Sequence, residues 1–133
     1  MNKLMMLSLI LLPAHMMCAG SRVIEVKNSA LLEQKINGNP LVVVEFAADN
    51  CGHCKSYDKN GNGEFHQFSN ETPQVTCVKA TVASVDGVSR TFPGYKLNGT
   101  PSFRFFKNGQ MAPYTSSGGL SKEAIKSNVA SLK

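Results

Sequence analysis

Two cysteines separated by two residues, Cys51-Gly52-His53-Cys54, are the side chains of this sequence best suited to chemistry. They follow an apolar run, Leu41 to Ala47, and open a stretch with helical character. At this spacing one helical turn brings the sulfurs within bonding distance, so the pair closes into a small disulfide that opens readily. The first thiol would lie at the helix N-terminus, where unpaired N–H groups and the positive end of the dipole favour a thiolate. That environment lowers a thiol pKa from about 8.5 toward neutrality. Cys51 is therefore the expected nucleophile. Cys54, one turn further in, is expected as a buried thiol that resolves a mixed disulfide. His53 adds a group able to carry positive charge or to donate to the Cys51 sulfur. A more stable thiolate is a better leaving group, which tilts the pair toward oxidising or isomerising disulfides rather than reducing them.

Other uses of the pair have less support in the residues. Half of a zinc site would need further ligands, for which His66 and Cys77 are the candidates, but there is no second C-x-x-C and no pair of histidines at ligand spacing. A purely structural bridge over so short a loop would restrain the unfolded chain little. No metal or cofactor is expected. Cys77 reads as a buried, inert thiol, with a third redox partner as the alternative. Asp58 to Phe65 matches the first eight positions of a calcium loop, but Ser69 stands where the bidentate glutamate belongs, so the segment reads as a polar loop that interrupts the helix. His66 reads as a surface residue.

The elements that must position the cysteines follow from patterning. Val23 to Val26 suits a short edge strand, and Ser29 through Ile36 a helix with Ser29 as N-cap and Gly38 as its stop. Leu41 to Ala47, apolar except for Glu45, has the character of a strand buried on both faces. The helix begun at Cys51 breaks at Asn60-Gly61-Asn62-Gly63 and resumes from Glu64 to about Asn70. Val75 to Thr81 is a second buried strand, and Asp86 to Phe92 a short helix ended by Pro93-Gly94. Ser102 to Lys107 and Gln110 to Thr115 flank Asn108-Gly109, the preferred two-residue turn of an antiparallel hairpin. A final helix starts at Ser121 as N-cap, with Leu120 and Ile125 as a hydrophobic staple. This order predicts an α/β fold: a mixed sheet of four to five strands with helices on both faces.

Two segments carry a family resemblance. Val42-Val43-Val44-Glu45-Phe46-Ala47 with Cys51-Gly52-His53-Cys54-Lys55 resembles the active-site segment of the thioredoxin superfamily, and Cys-Gly-His-Cys is the pairing of protein disulfide isomerase domains. Asn98-Gly99-Thr100-Pro101-Ser102-Phe103 resembles the segment with that family's cis-proline, and Phe105-Phe106-Lys107-Asn108-Gly109 its closing hairpin. The likeness covers roughly residues 23 to 132. It implies that Pro101 is cis and faces the cysteines, and that Thr100 offers its backbone to an extended peptide, with Gly52 also facing substrate. It further implies that Glu45 is a buried acid with a raised pKa, able to accept the Cys54 proton through water. Asn50 departs from the family's aromatic residue before the first cysteine. Cys77 stands in for the lysine that often neighbours the buried acid, with Lys79 two residues further on.

The totals bound the rest. The chain has 133 residues, enough for one core, and its hydrophobic fraction of 42% excludes a disordered chain. Lys3, the run Leu4 to Leu12 and Pro13 read as a secretory leader over residues 1–20, with the domain at 21–133. The run is short of the roughly 20 apolar residues that span a bilayer, so no stable anchor is expected. Cleavage after Gly20 or Ala19 fits, and a lipoprotein site at Cys18 lacks the expected preceding residues. Removing Lys3 takes the formal net charge from +5 to +4. The lysines are scattered and no basic run interleaves with aromatics, which argues against nucleic acid. The expected partners are protein thiols and disulfides and a redox partner protein, in a periplasmic or secreted setting where disulfides persist. The alternative from another class is a peptide-binding, chaperone-like module in which the pair is incidental.

Overall fold

The computed structural model describes residues 22–132. The leader expected over residues 1–20, with Cys18 and the cleavage site, lies outside them. Five strands form one sheet in the order β1-β3-β2-β4-β5: β1 (Ile24–Val26), β2 (Leu41–Ala48), β3 (Thr76–Val82), β4 (Ser102–Lys107) and β5 (Gln110–Ser117). β1, β3 and β2 are parallel, while β4 runs antiparallel to β2, and β5 to β4. β2 is therefore interior to the sheet, and the residues after Leu41 are all buried. Among the described residues five α-helices accompany the strands: α1 (Ser29–Asn37), α2 (Gly52–Asp58), α3 (Glu64–Glu71), α4 (Val88–Thr91) and α5 (Lys122–Ala130).

Strand alternation divides the core into two layers. Val42, Val44 and Phe46 face Leu32 and Ile36 of α1, Val88 of α4 and Phe92 just after it. Val43, Cys77, Phe103 and Phe105 face Phe65 and Phe68 of α3 and Ile125 and Val129 of α5. Glu45, two residues from Val43 and from Ala47, points into this second layer. No helix among the described residues is long and apolar enough to cross a membrane.

The local signals acted with small displacements. Asn28, not Ser29, caps α1: its side chain accepts from the Leu31 N–H at 2.9 Å, while the Ser29 hydroxyl donates instead to the Thr91 carbonyl. β3 begins at Thr76, because the Val75 N–H turns back to the Thr72 carbonyl. The stretch expected to be one short helix from Asp86 is a 3-10 turn, Val85–Gly87, followed by α4. Asn108 and Gly109 both have positive φ, at 50° and 78°, so they close the β4–β5 hairpin with a turn whose twist matches the strands. Ser121 caps α5 by accepting from the Ala124 N–H, and Leu120 packs in the same layer as Ile125.

Candidate active site

β2 ends in a tight turn that sets the first cysteine. The Asp49 N–H donates to the Val82 carbonyl at 2.9 Å and the Cys51 N–H to the Ala48 carbonyl at 3.1 Å. Cys51 is thereby left as the N-cap of α2, with extended backbone, and its sulfur accepts from the Cys54 N–H at 3.1 Å. Sulfur thus occupies the place usually taken by a capping oxygen. Cys51 and Cys54 are joined in a disulfide, with Cα atoms 5.2 Å apart. Ala47, Ala48, Val82 and Val85 pack around the pair.

The second wall of the site comes from the other end of the fold. The Thr100–Pro101 peptide bond is cis, and the Thr100 carbonyl oxygen lies 3.4 Å from the Cys51 sulfur. The turn is held on both flanks: Gly118 donates its N–H to the Pro101 carbonyl at 2.7 Å, and the Ser102 hydroxyl donates to the Gly99 carbonyl at 2.6 Å. Strand pairing between β2 and β4 starts at Ser102, so the Thr100 backbone stands outside the ladder. Gly52 is exposed, and a Cβ there would meet nothing within 4 Å, which leaves an open approach beside Cys51. His53 is exposed on the first turn of α2 and makes no hydrogen bond to either sulfur among the described residues.

Glu45 is 1% exposed and both its carboxylate oxygens lack a hydrogen bond among the described residues. Burial raises its pKa from the ordinary 4.5 to about 7, opposed by the positive charge of Lys79 and aided by the negative charges of Asp58 and Glu25. The sheet register corrects the expectation that Cys77 replaces the lysine beside this acid. Glu45 pairs laterally with Lys79, whereas Cys77 pairs with Val43. Cys77 is buried and free, and burial pushes its thiol up to about 12 against a hydrogen bond from Ser69. Four residues of strand separate the Val43 pair from the Ala47 level beneath the disulfide, about 13 Å at strand rise.

Several residues that patterning left aside take part in the surroundings. His66 is not a surface residue: it is 8% exposed, and its Nε2 bonds Oδ1 of Asp58. The same Oδ1 accepts from Lys79 Nζ at 3.2 Å, and Oδ2 accepts from the Gly61 N–H at 3.1 Å. The first residue of the calcium-like loop is therefore engaged by its own fold. Among the described residues no group of three His, Cys, Asp or Glu side chains converges as a metal site. Asn50, the departure from the aromatic residue of the resembled family, accepts from the Val85 N–H at 2.9 Å and donates to the Ser84 hydroxyl at 3.3 Å. Tyr57 of α2 donates to the Leu120 carbonyl at 2.6 Å, fastening the active-site helix to the start of α5. Asp58 had a sequence signal in its favour: it follows Cys54 by four residues and so shares the inward face of α2.

Comparison with known proteins gives a consistent picture. The family model described as Thioredoxin matches residues 22–131. The chain is similar to protein disulfide-isomerase erp38 of Neurospora crassa, with 28% identity over 100 residues, 75% of this chain and 27% of that protein. It is also similar to thioredoxin-1 of Schizosaccharomyces pombe, with 33% identity over 86 residues, 65% of this chain and 77% of that protein. Among solved structures, the oxidised thioredoxin of Plasmodium falciparum superposes with a TM-score of 0.64 at 25% identity, covering 83% of this chain and 97% of that one. The chain spans only 14% to 27% of the length of the disulfide-isomerase relatives.

Proposed function

The chain belongs to the thioredoxin family, and on that premise we propose that it exchanges disulfides with protein thiols through Cys51 and Cys54, without a cofactor. The observation that carries this is the placement of Cys51: a helix N-cap whose sulfur takes the Cys54 N–H, is bonded to the Cys54 sulfur and adjoins the Thr100 carbonyl.

The steps follow from that placement. In the oxidising direction a substrate thiolate attacks the Cys51 sulfur. The Cys51–Cys54 bond breaks, and Cys54 departs with the electron pair and takes a proton. A second thiolate of the substrate then attacks the substrate sulfur of the mixed disulfide, and Cys51 leaves as a thiolate while the substrate keeps the new disulfide. In the reverse direction Cys51 attacks a substrate disulfide and Cys54, losing its proton, displaces the substrate from Cys51. Backbone N–H groups at the start of α2 stabilise the Cys51 anion in both. Glu45 takes and returns the Cys54 proton, a role supported by its raised pKa of about 7, near the working pH. Thr100 and Pro101 border the sulfur with a backbone free of the sheet, suited to an added peptide strand, and Gly52 leaves the approach clear.

Within this chemistry we assign the chain to disulfide oxidation or isomerisation rather than reduction, supported by the Cys-Gly-His-Cys pairing, which puts His53 on the first turn of α2 between the two cysteines. The relatives include disulfide isomerases and thioredoxins alike, so direction rests on the reduction potential. A value near about −120 to −180 mV fits oxidase or isomerase work, and one near about −270 mV overturns it in favour of a reductase. The setting we propose is extracytoplasmic, supported by the leader-like pattern of residues 1–20. Insulin reduction and refolding of a scrambled protein, by wild type beside Cys51→Ser, test the exchange itself. Loss of both activities in the variant is expected; equal performance would instead make the chain a peptide-binding module.

A further inference from the structure

Lys79 stands beside Glu45 in the sheet register, yet its ammonium is spent elsewhere: Nζ donates to Asp58 at 3.2 Å, and both Glu45 oxygens are left without a hydrogen bond among the described residues. Asp58 is built to hold it. The carboxylate is fixed by the Gly61 N–H on one oxygen and bonded by His66 on the other, so it is locked toward the Lys79 side of α2. Asp58, Lys79 and Cys54 line one small cleft of about 110 Å³, with Thr81 and Ala47. The charged or titratable groups acting on Glu45 are Lys79 from β3, Glu25 from β1, and Asp58 and Tyr57 from α2. Lys79 is the cation among these, and the direction of its side chain decides how far Glu45 is neutralised.

We propose that Asp58, steadied by His66, is a positioning residue for disulfide exchange: it withholds the Lys79 ammonium from Glu45 and so keeps Glu45 a base strong enough to take the Cys54 proton. This rests on the part given to Glu45 in the proposed function. In the step concerned, the Cys54 S–H bond breaks and its proton passes through water to the Glu45 carboxylate. The sulfur electron pair forms the bond to Cys51, and the substrate sulfur leaves Cys51 with the pair of the broken bond. Glu45 then returns the proton to the departing thiolate or to water. A lysine swung onto Glu45 would make a tight pair in a dry site, leaving a carboxylate that is ionised but too weak a base for a buried thiol. Asp58 prevents that collapse by offering Lys79 a better partner nearer to solvent.

The test pairs a direct titration with a rate. The Glu45 side-chain carboxyl is followed by carbon-13 NMR against pH in wild type, Asp58→Asn, Asp58→Glu, Lys79→Met and the Asp58→Asn/Lys79→Met double variant. Resolution of a glutathione mixed disulfide on Cys51 is timed over the same pH range. Asp58→Asn should lower the Glu45 midpoint by about one pH unit, the scale of one unit charge moved by a few ångströms in a partly buried site. The acid limb of the resolution rate should move with it, Asp58→Glu should restore both, and in the Lys79→Met background the shift should fall to less than half. An unmoved Glu45 midpoint, or an equal shift with and without Lys79, overturns the proposal. A Glu45 midpoint that moves while the rate profile stays fixed also overturns it and removes Glu45 from the mechanism, but the comparison with Cys51→Ser still decides whether exchange occurs. Should Asp58→Asn not fold, the wild type carries the test. The Lys79 Nζ nitrogen-15 shift should follow protonation of Asp58 in the acid range, and a shift that follows Glu45 near pH 7 would sink the idea.

Discussion

Replacing Glu45 by glutamine should stabilise the protein at alkaline pH and leave it nearly unchanged in acid. The carboxyl is 1% exposed, without a hydrogen-bond partner among the described residues, and its pKa rises from 4.5 to about 7 on folding. Below pH 4.5 it is protonated in both the folded and the unfolded chain, so it carries no penalty there. Between 4.5 and 7 the unfolded chain releases the proton while the folded one retains it, and stability falls as pH rises through that window. Above pH 7 the loss is complete. A displacement of about 2.5 pH units corresponds to about 3 kcal/mol, a large share of the 5–15 kcal/mol that holds a typical domain together. Glutamine keeps the shape and removes the charge, so the difference between Glu45→Gln and wild type should grow from near zero at pH 4.5 to about 3 kcal/mol at pH 8. Urea unfolding of the oxidised proteins at half-unit pH steps measures this directly. Titrating groups that do not act on Glu45 contribute equally to both curves and cancel in the difference. Parallel curves across pH 5–8 would mean that Glu45 ionises in the fold as readily as in water, and the account of it as a buried base would be wrong.

Three other outcomes follow from single sites. Arg104 is 3% exposed on β4 and donates to the carbonyls of Tyr95, Lys96, Phe103 and Ser116, tying down the loop that leads to Thr100; Arg104→Met should cost about 3 kcal/mol in urea unfolding and raise KM for a peptide substrate more than it lowers kcat. A Cβ at Gly63 would lie 2.0 Å from the Tyr57 carbonyl oxygen, a backbone atom with little room to give; Gly63→Ala should cost about 2 kcal/mol and loosen the junction between α2 and α3, read as faster amide exchange there. Cys77, with its thiol pushed up to about 12, should resist alkylation at pH 8, and Cys77→Ala should leave the rate of exchange at wild-type level while costing about 1 kcal/mol of stability.

The redox pair, the central strand and the hairpin were legible because each depends on residues close in the chain. Cys51 to Cys54 is one helical turn, Leu41 to Ala47 is apolar except for Glu45, and Asn108-Gly109 specifies its own turn. Asn28 and Ser29 are both good capping residues, and nothing local decides between them; the tertiary contact of the Ser29 hydroxyl with the Thr91 carbonyl, 62 residues away, does. The environment of Glu45 is hidden from the sequence for a related reason. Which residue of β3 stands beside it depends on the register of a parallel pair joined through two helices, and alternation along β3 alone leaves Cys77 and Lys79 on the same face. The burial of His66 is not legible locally, because its partner Asp58 opens a polar, glycine-containing stretch; the left-handed backbone at Lys59 and Asn60 folds that stretch back so that α3 lies against α2.

Trapping the mixed disulfide tests the central claim most directly. A reduced Cys54→Ser variant, mixed with a peptide disulfide at neutral pH, should accumulate one covalent adduct, located by mass spectrometry at Cys51. Failure to form an adduct, or one attached to Cys77 instead, would contradict the assignment of Cys51 as the sulfur that opens the exchange.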